Sequence, residues 1–297
     1  MKKLKSTLEN YAFILPALLI FFIFYVIPFI WVFQFSLTNW DGIQPIKKFI
    51  GLDNFKEILF TDKSWWRAFL NAGYICLIAL IFQNTLAFLL ALACSRKIRF
   101  RNFYQTVFFI PPILSEIVVG MVWRFILNDI DGANILNRLL NFIGLSQFVN
   151  KWLANPNIVL TTIAFVHSWK GFGWGFLIFL AGLVAIPTEL YEAAILDGAS
   201  SLKCFRKITL PLMLPVIALV SILTILGTMQ GFVLILGLVG GEFAGYASVP
   251  VLRILAAMRD YLRFGYACAQ GVSLGLILVI VSFIQYKLLK KFRKIIA

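Results

Sequence analysis

Charged residues are scarce in this chain, and their scarcity limits the class of protein it can be. Asp, Glu, Lys and Arg make up 13% of the 297 residues, whereas hydrophobic residues make up 61%. A soluble domain usually has about 25% charged residues. The long apolar runs also lack the period-2 alternation of a barrel strand. The composition therefore excludes a soluble globular protein and predicts an all-α integral membrane protein.

Metal ligands and catalytic motifs are also few. The chain has one histidine and four cysteines, and no two cysteines are spaced as CxxC. A zinc site needs several such ligands close together, so we predict no metal site. The sequence contains no G-x-x-x-x-G-K-[ST] or HExxH motif. We therefore expect no catalytic residue and no cofactor on this chain, and an energy source located on another chain.

Six apolar stretches are long enough to cross a bilayer core, which takes roughly 20 residues. They lie near residues 11–37, 69–95, 103–127, 158–186, 212–239 and 266–286. The chain is therefore predicted to be a single membrane domain, residues 1–297, with six transmembrane helices. Residues 187–211 form the loop between the fourth and fifth helices.

The formal net charge of +14 is a topology signal. With six spans, the N-terminus, the second and fourth loops and the C-terminus share one side, and each of them is rich in Lys and Arg. On the opposite side, acidic residues nearly balance basic ones. By the positive-inside rule, both termini are predicted to be cytoplasmic. The basic excess needs no nucleic acid to explain it, and we expect none as a partner.

Three of the Asp, Glu, Lys and Arg residues fall inside the predicted spans: Glu116, Arg124 and Lys170. A charge at mid-bilayer costs about 2.5–3.5 kcal/mol on insertion scales, so such residues usually face a protein interior or a watery cavity. Arg124 lies near the outer end of the third span and can snorkel to the interface. Glu116 follows the break at Pro111-Pro112, and Lys170 lies within the fourth span, so these two are the candidates for a cavity.

Two predicted helix faces carry polar or small residues. On the fourth span, His167, Lys170 or Gly171, and Trp174 recur at helical spacing on one side. The fifth span has a comparable face of small and hydroxylated residues: Thr224, Gly227, Thr228 and Gly231. Such faces suit either the wall of a polar cavity or close helix packing, and both interpretations stay open.

The outer loop between the third and fourth spans is amphipathic. Its apolar residues recur at helical spacing: Ile135, Leu136, Leu139, Leu140 and Ile143. This spacing predicts a short helix that lies on the membrane surface or covers the outer mouth of the protein.

The loop between the fourth and fifth spans is predicted to contain another short helix. Thr188 is placed to cap its start and Gly198 to end it, while Ser200 can cap the next turn. A helix of nine or ten residues is too short to be stable alone. Its apolar residues surround the axis without leaving a polar face. It must therefore be buried, either against another protein or against this chain.

A fixed pattern runs through this loop. Glu192-Ala193-Ala194 is followed by Gly198, and then by Ile208, Leu210 and Pro211. This spacing resembles the EAA loop of permease subunits of bacterial ATP-driven (ABC) importers. The wider segment IPTELYEAAILDGAS is similar to the carbohydrate-importer branch, and weaker similarity extends to GLDNF at 51–55 and LAGL at 180–183.

The resemblance implies the type I ABC importer permease fold and a role in coupling. In that family the EAA loop forms the coupling helix, which docks in a cleft of a cytoplasmic ATPase subunit. The matching docking residues of this sequence are Glu192, Ala193, Ala194, Asp197, Gly198 and Ser200.

The resemblance also implies the partners. The family assembles from two permease subunits, two ATP-binding subunits and an extracytoplasmic solute-binding protein. This chain has one EAA loop, so it is expected to form half of a pore in the bacterial cytoplasmic membrane beside a second, homologous permease. ATP and Mg are expected on the partner ATPase and not on this chain.

The family's substrate cavity lies among the helices that flank the EAA loop, which implies a set of substrate-pathway candidates. They are Glu116, His167, Lys170, Gly171, Trp174, Thr224, Gly227, Thr228 and Gly231. Trp174 suits stacking on a sugar. His167 and Lys170 suit an acidic saccharide, or Lys170 neutralises Glu116. A carbohydrate is the expected substrate; the alternatives are a permease for an amino acid, peptide or polyol phosphate, and a membrane-embedded enzyme or channel.

Overall fold

The computed structural model is almost entirely helical and describes residues 13–96, 98–128, 134–240 and 244–296. The start of the first predicted span, at Tyr11, lies outside the described residues. In chain order the helices are α1 (Phe13–Ser36), α2 (Asp53–Lys56), α3 (Lys63–Ser95), α4 (Arg101–Ile113), α5 (Glu116–Leu127), α6 (Ile135–Phe142), α7 (Val159–Val184), α8 (Thr188–Leu196), α9 (Ser201–Gln230), α10 (Val233–Val239), α11 (Ala244–Ala247), α12 (Pro250–Arg259) and α13 (Phe264–Ile296).

Two compact units divide these helices. The first consists of Met1–Trp65 with Arg253–Ile277, and the second of Trp66–Leu252 with Leu278–Ala297. Five of the helices, α1, α3, α7, α9 and α13, are each long and apolar enough to cross a membrane. The pair α4 and α5 raises the number of possible spans to six if it counts as one broken span.

The first unit is built around the backbone that follows α1. Asn54, in the GLDNF segment, donates its side-chain amide to the carbonyl oxygens of Ser36 (2.8 Å) and Thr38 (2.9 Å). Gly265, near the start of α13, approaches the carbonyl oxygen of Thr38 so closely that a Cβ would collide with it. The ring of Trp40 contacts that of Phe264 edge to face. These contacts hold the loop after α1 against the start of α13.

A carboxylate joins the starts of helices α3 and α13 within the first unit. Asp62 accepts hydrogen bonds from Ser64 Oγ (2.5 Å), the backbone N–H of Trp65 (2.9 Å) and Tyr266 Oη (2.7 Å). Arg253 in turn donates to Ser64 Oγ at 2.8 Å. Burial disfavours the charged form of Asp62, but these hydrogen bonds and the charge of Arg253 outweigh burial and lower its pKa.

The lowered pKa of Asp62 makes the stability of the protein depend on acid pH. A carboxyl group with a depressed folded-state pKa stabilises the fold above its ordinary value, here 3.8, and loses that contribution as the pH falls through the folded-state pKa. We expect Asp62→Asn to lower stability by about 1–2 kcal/mol at pH 6 and to leave a smaller difference at pH 3. Thermal unfolding of the detergent-solubilised chain at both values measures this. An equal deficit at both would contradict the account.

Helix α7 is the centre of the second unit. Helices α3, α4 and α9 pack along it, and its Ile163, Phe176 and Phe179 are fully buried. Helix α4 approaches especially closely at Gly173, where a Cβ would collide with the carbonyl oxygen of Phe108. Part of the glycine-rich segment of the fourth predicted span therefore allows close helix packing, which was one of the two interpretations of that helix face.

The third predicted span, 103–127, is not one continuous helix. Helix α4 ends at Ile113, α5 begins at Glu116, and their axes differ by 93°. Pro111 and Pro112 lack the N–H groups that would continue the hydrogen-bond ladder into this turn, and Leu114 and Ser115 adopt extended backbone conformations. The prediction of one continuous third span is therefore wrong, because the structure has two helices joined by a sharp bend.

The fifth predicted span, 212–239, also differs from a single helix. Helix α9 begins earlier, at Ser201, runs through Pro211 and Pro215, and ends at Gln230. The separate helix α10 then packs against α5, and the two approach at Gly120 and Gly237. A Cβ on Gly120 would lie 2.6 Å from the carbonyl oxygen of Leu234. This close contact requires glycine, because no larger residue leaves room for the neighbouring backbone.

The short helix predicted in the outer loop is confirmed. Helix α6 begins at Ile135, and the side chain of the preceding Asn134 caps it by accepting the backbone N–H of Asn137 at 2.7 Å. Leu136 packs against the core, whereas Phe142 at the end of the helix is 88% exposed. The helix therefore has one packed and one exposed face.

Candidate functional site

The predicted loop helix is present as α8, but its start differs from the prediction. Pro187 occupies the position before the helix in an extended conformation, and Thr188 is the first helical residue. No side chain caps this end, so the capping role expected of Thr188 is wrong. A side chain at the first helical position cannot reach the free N–H groups that a residue one place earlier would face. Glu189 lies in the first turn, next to the positive end of the helix dipole.

The predicted end of α8 is confirmed. Gly198 has a φ of +74°, a conformation that a residue with a Cβ rarely adopts. The N–H of Gly198 donates to Ile195 O at 3.0 Å, and that of Ala199 to Ala194 O at 2.8 Å. This pair of hydrogen bonds is a Schellman motif. Ser200 then caps α9 by accepting the N–H of Lys203.

Helix α8 contacts its own chain on one side only. Tyr191 is half-buried, and its hydroxyl is hydrogen-bonded to Thr209 Oγ1 at 2.8 Å. No residue of α8 is fully buried. Leu196 is 88% exposed, and Glu192 and Ala193 are exposed beside it. Packing on the same chain therefore leaves most of the apolar surface of this helix uncovered.

A second feature of the same unit is a cavity of about 280 Å³. Helices α3, α5, α7 and α9 each contribute to its wall. Seven of the predicted substrate-pathway residues line it: Glu116, His167, Lys170, Gly171, Trp174, Thr224 and Gly227. The structure therefore brings these seven residues to one cavity, and their role in a substrate pathway stays a prediction. We call this space the membrane cavity.

Two predicted cavity residues, Thr228 and Gly231, do not line the membrane cavity. Thr228 is buried, and its hydroxyl donates to the carbonyl oxygen of Thr224 at 2.9 Å. Gly231 follows the last residue of α9, where the chain turns toward α10. The helical-face argument failed here because Thr228 faces the packed side of α9 and the helix ends before Gly231.

Lys170 and Glu116 meet in the membrane cavity. Their Nζ and Oε1 atoms are 3.7 Å apart, and the side chains are 11% and 45% exposed respectively. Glu116 owes its position to the bend between α4 and α5, because that bend makes it the first residue of α5. An opposite charge at this distance offsets the cost of burying the lysine. Arg124, by contrast, is exposed near the end of α5.

Sequence reasoning missed two amide side chains of this region, Gln83 and Asn84. Gln83 lines the cavity, is almost fully buried, and its Oε1 has no hydrogen-bond partner among the described residues. It occupies the space beside Gly171, where a Cβ would lie 2.6 Å from that oxygen. Asn84 accepts a hydrogen bond from Thr224 Oγ1 at 3.0 Å. Two adjacent amides within an apolar span were the available signal.

Trp174 presents the largest ring of the membrane cavity. It is 55% exposed and contacts Phe109 edge to face, with ring centroids 5.3 Å apart. Phe109 thereby holds the indole in place and leaves more than half of it exposed. An exposed, fixed aromatic face beside unpartnered polar atoms can bind a molecule that has both apolar ring surface and hydroxyl groups.

Comparison with known proteins identifies the family. Residues 83–294 match the sequence model of the binding-protein-dependent transport system inner membrane component. The chain belongs to this family. The matched range includes α8 and every residue of the membrane cavity, so both features lie in the part of the permease that the family shares. The permease is accordingly a multi-pass protein of the cytoplasmic membrane.

Individual relatives extend the similarity to nearly the whole permease. A probable starch degradation products transport system permease protein, AmyD of Thermoanaerobacterium thermosulfurigenes, is 30% identical over 98% of this chain and 97% of its own. The arabinooligosaccharides transport system permease protein AraP of Bacillus subtilis is 31% identical over 95% of this chain and 89% of its own. Membership of a transport family favours a permease over the alternatives of an enzyme or channel.

A solved structure shares the fold of the permease. It is a chain of a bacterial ABC transporter involved in the import of the acidic polysaccharide alginate, with a TM-score of 0.83, 25% identity, and coverage of 98% of each chain. A second structure of the bacterial alginate transporter, in complex with a periplasmic protein that holds an alginate pentasaccharide, gives a TM-score of 0.82 at 24% identity.

Proposed function

We propose that this permease forms one half of the membrane pore of an ATP-driven carbohydrate importer. The observation that carries the proposal is helix α8, which is short, ends in a Schellman motif at Gly198 and leaves Leu196 almost fully exposed. Such a helix needs a partner to cover it. The chain also has no nucleotide-binding motif of its own. One partner, a cytoplasmic ATPase, meets both needs.

The proposed arrangement is that of a type I importer. Helices α4 and α5 count together as the third of six spans, so both termini and α8 share one side of the membrane. By the positive-inside rule we assign that side to the cytoplasm. Glu192, Ala193, Ala194, Asp197, Gly198 and Ser200 form the docking surface. Within it, Ala193 contacts the ATPase and Gly198 fixes the sharp turn that follows α8. We add Leu196, which is exposed at the end of α8, as a further contact with the ATPase.

The proposed partners are those that the family implies, and the single EAA loop of the chain calls for a second permease subunit. A second, homologous permease completes the pore, and two ATP-binding subunits hold ATP and Mg. An extracytoplasmic solute-binding protein delivers the substrate to the outer side. The alginate transporter structure supports this last partner, because it was solved in complex with a substrate-bound periplasmic protein.

The proposed substrate is a neutral carbohydrate that passes through the membrane cavity. Names of the relatives point to sugars, and Trp174 offers an exposed ring face for stacking. Gln83 Oε1 is free to accept a hydrogen bond from a hydroxyl group. Lys170 already has Glu116 as its counter-charge, so the cavity has no uncompensated positive charge for a uronate. In this respect the permease is expected to differ from the alginate importer.

Reconstitution tests this function. The permease is placed in proteoliposomes alone and together with its second permease, ATPases and binding protein, and uptake is measured for a neutral oligosaccharide and a uronic-acid oligosaccharide of equal length. We expect ATP-dependent uptake of the neutral sugar by the complete set and none by the permease alone. Uptake or ion conduction by the permease alone would contradict the importer; preferential uptake of the uronate would contradict the substrate class.

A further inference from the structure

A second cavity, separate from the membrane cavity, lies under helix α8. It has a volume of about 460 Å³ and is bounded by the end of α3, the start of α4, the inner face of α8 and the start of α9. Its lining includes Ser95, Arg96, Arg101, Thr188, Tyr191 and Ile195. We call it the basic groove. Neither the sugar pathway nor the docking surface accounts for it.

The basic groove has positive charge without a counter-charge. Arg96 and Arg101 are its charged lining residues, and no described carboxylate lines it. Neither guanidinium takes part in a salt bridge within the ranges that the structure describes. The Nε atom of Arg101 is buried and has no hydrogen-bond partner there. A buried donor without a partner is costly, so the groove favours an anion that accepts hydrogen bonds.

The backbone before Arg101 supports a binding role. Phe100 has a φ of +62°, which is unusual for a bulky residue. Phe100 directly precedes α4, so its backbone conformation determines how the chain enters the helix at Arg101. Backbone strain of this kind persists where the surrounding structure requires it and is concentrated at binding sites.

Part of the remaining lining of the groove is apolar. Leu92, Leu183 and Ile186 line it beside the two arginines. A ligand that fits both parts has an anionic head and a hydrocarbon portion. Basic pockets between transmembrane helices on the cytoplasmic side are suited to the headgroups of anionic lipids.

We propose that the basic groove binds a phosphate group through Arg96 and Arg101. The phosphate belongs either to the headgroup of an anionic phospholipid of the cytoplasmic leaflet or to a phosphorylated compound in the cytoplasm. The proposal rests on the proposed function, because the coupling helix defines which side is cytoplasmic. Arginine suits this role because its planar guanidinium can bind phosphate oxygens in pairs.

Occupancy of the groove would act on coupling. Thr188, Tyr191 and Ile195 of α8 line the groove at helical spacing, whereas Ala193 lies on the opposite face of the helix. The bound phosphate compound is therefore on one side of α8 and the ATPase on the other. An occupied groove supports the coupling helix from behind and favours its docked position.

Lipid binding to the assembled transporter tests the proposal. The complete transporter is placed in nanodiscs of phosphatidylcholine with increasing phosphatidylglycerol, and bound phosphatidylglycerol is quantified with a spin-labelled analogue. The variant is Arg96→Gln with Arg101→Gln. The matched control is Lys203→Gln with Lys207→Gln, two exposed basic residues near the groove that do not line it. Two basic contacts predict an affinity about 30-fold lower in the arginine variant and unchanged affinity in the control.

A second arm separates the two sources of phosphate. Inorganic phosphate and a hexose phosphate are titrated against the transporter in pure phosphatidylcholine nanodiscs. Binding of either compound that is lost in the arginine variant would assign the groove to soluble phosphates. If no phosphate compound depends on Arg96 and Arg101, the proposal is wrong. Co-purification of the ATPase with the arginine variant is scored separately, so failure of the groove is distinguished from failure of the importer assembly.

Discussion

The substitution Leu196→Lys is expected to lower the affinity of the permease for its ATPase at least about 100-fold. Leu196 is 88% exposed at the last position of α8, so it contributes little to the fold of the permease itself. In the proposed complex it is covered by the ATPase. A lysine there would be buried without a counter-charge, which costs about 3–5 kcal/mol. A cation at the end of a helix is otherwise favourable, so α8 should remain intact.

Co-purification of the ATPase with membranes that contain the variant measures this loss, with insertion of the permease as the reference. The matched control is Phe142→Lys. Phe142 is also 88% exposed and is also the last residue of its helix, α6, but in the proposed topology it lies on the opposite side of the membrane from α8. We expect the control to retain the ATPase fully. Loss of the ATPase in both variants, or in neither, would contradict the docking assignment.

Replacing Trp174 with alanine is expected to slow carbohydrate uptake about tenfold or more. The indole is the exposed ring of the membrane cavity, and Phe109 holds it in place. Truncation of a tryptophan that anchors a ligand typically costs about 2 kcal/mol or more. The affinity of the binding protein for sugar and the assembly of the ATPase should not change, because neither involves this residue.

The measurement is the initial rate of uptake into proteoliposomes at saturating sugar-loaded binding protein. Trp174→Tyr, which keeps an aromatic ring, should recover most of the rate. Trp31→Ala serves as the control, because Trp31 is 53% exposed on α1 and does not line the cavity. Normal uptake with Trp174→Ala would show that the sugar does not stack on this ring.

The sequence was informative wherever structure depends on nearby residues. The end of α8 is determined by Gly198, the only residue type that readily adopts its positive φ. The cap at Ser200 likewise depends on residues three positions apart. Long apolar runs predicted the spans because a bilayer imposes a minimum length. These features need no knowledge of the rest of the fold.

The sequence was less informative wherever distant segments decide the geometry. Hydropathy cannot distinguish a straight span from the bent pair α4 and α5, since both have the same composition. Pro111 and Pro112 marked the break, but they do not specify an angle of 93°. The exclusion of Thr228 from the cavity depends on how α9 packs, and the role of Gln83 depends on the approach of Gly171. Such contacts between helices are not encoded in a local pattern.

The glycines show where sequence patterns predict packing and where they do not. Gly120 and Gly237 are 117 positions apart in sequence number, yet each is needed because the backbones of α5 and α10 touch there. The periodicity of residues along one helix cannot show which other helix packs against it. In the fourth predicted span, Gly171 lines the membrane cavity. Gly173, on the same helix, allows close packing against α4.

Site-specific photocrosslinking from α8 tests the central claim, that the ATPase docks on this helix. A photoreactive phenylalanine analogue is placed at Ala193, on the face away from the permease, and at Phe142 as the exposed control. The complete transporter is then irradiated and its crosslinked products are identified. The account predicts an adduct with the ATPase subunit from position 193 and none from position 142. Adducts from position 193 only with the permease itself, or with lipid, would contradict it.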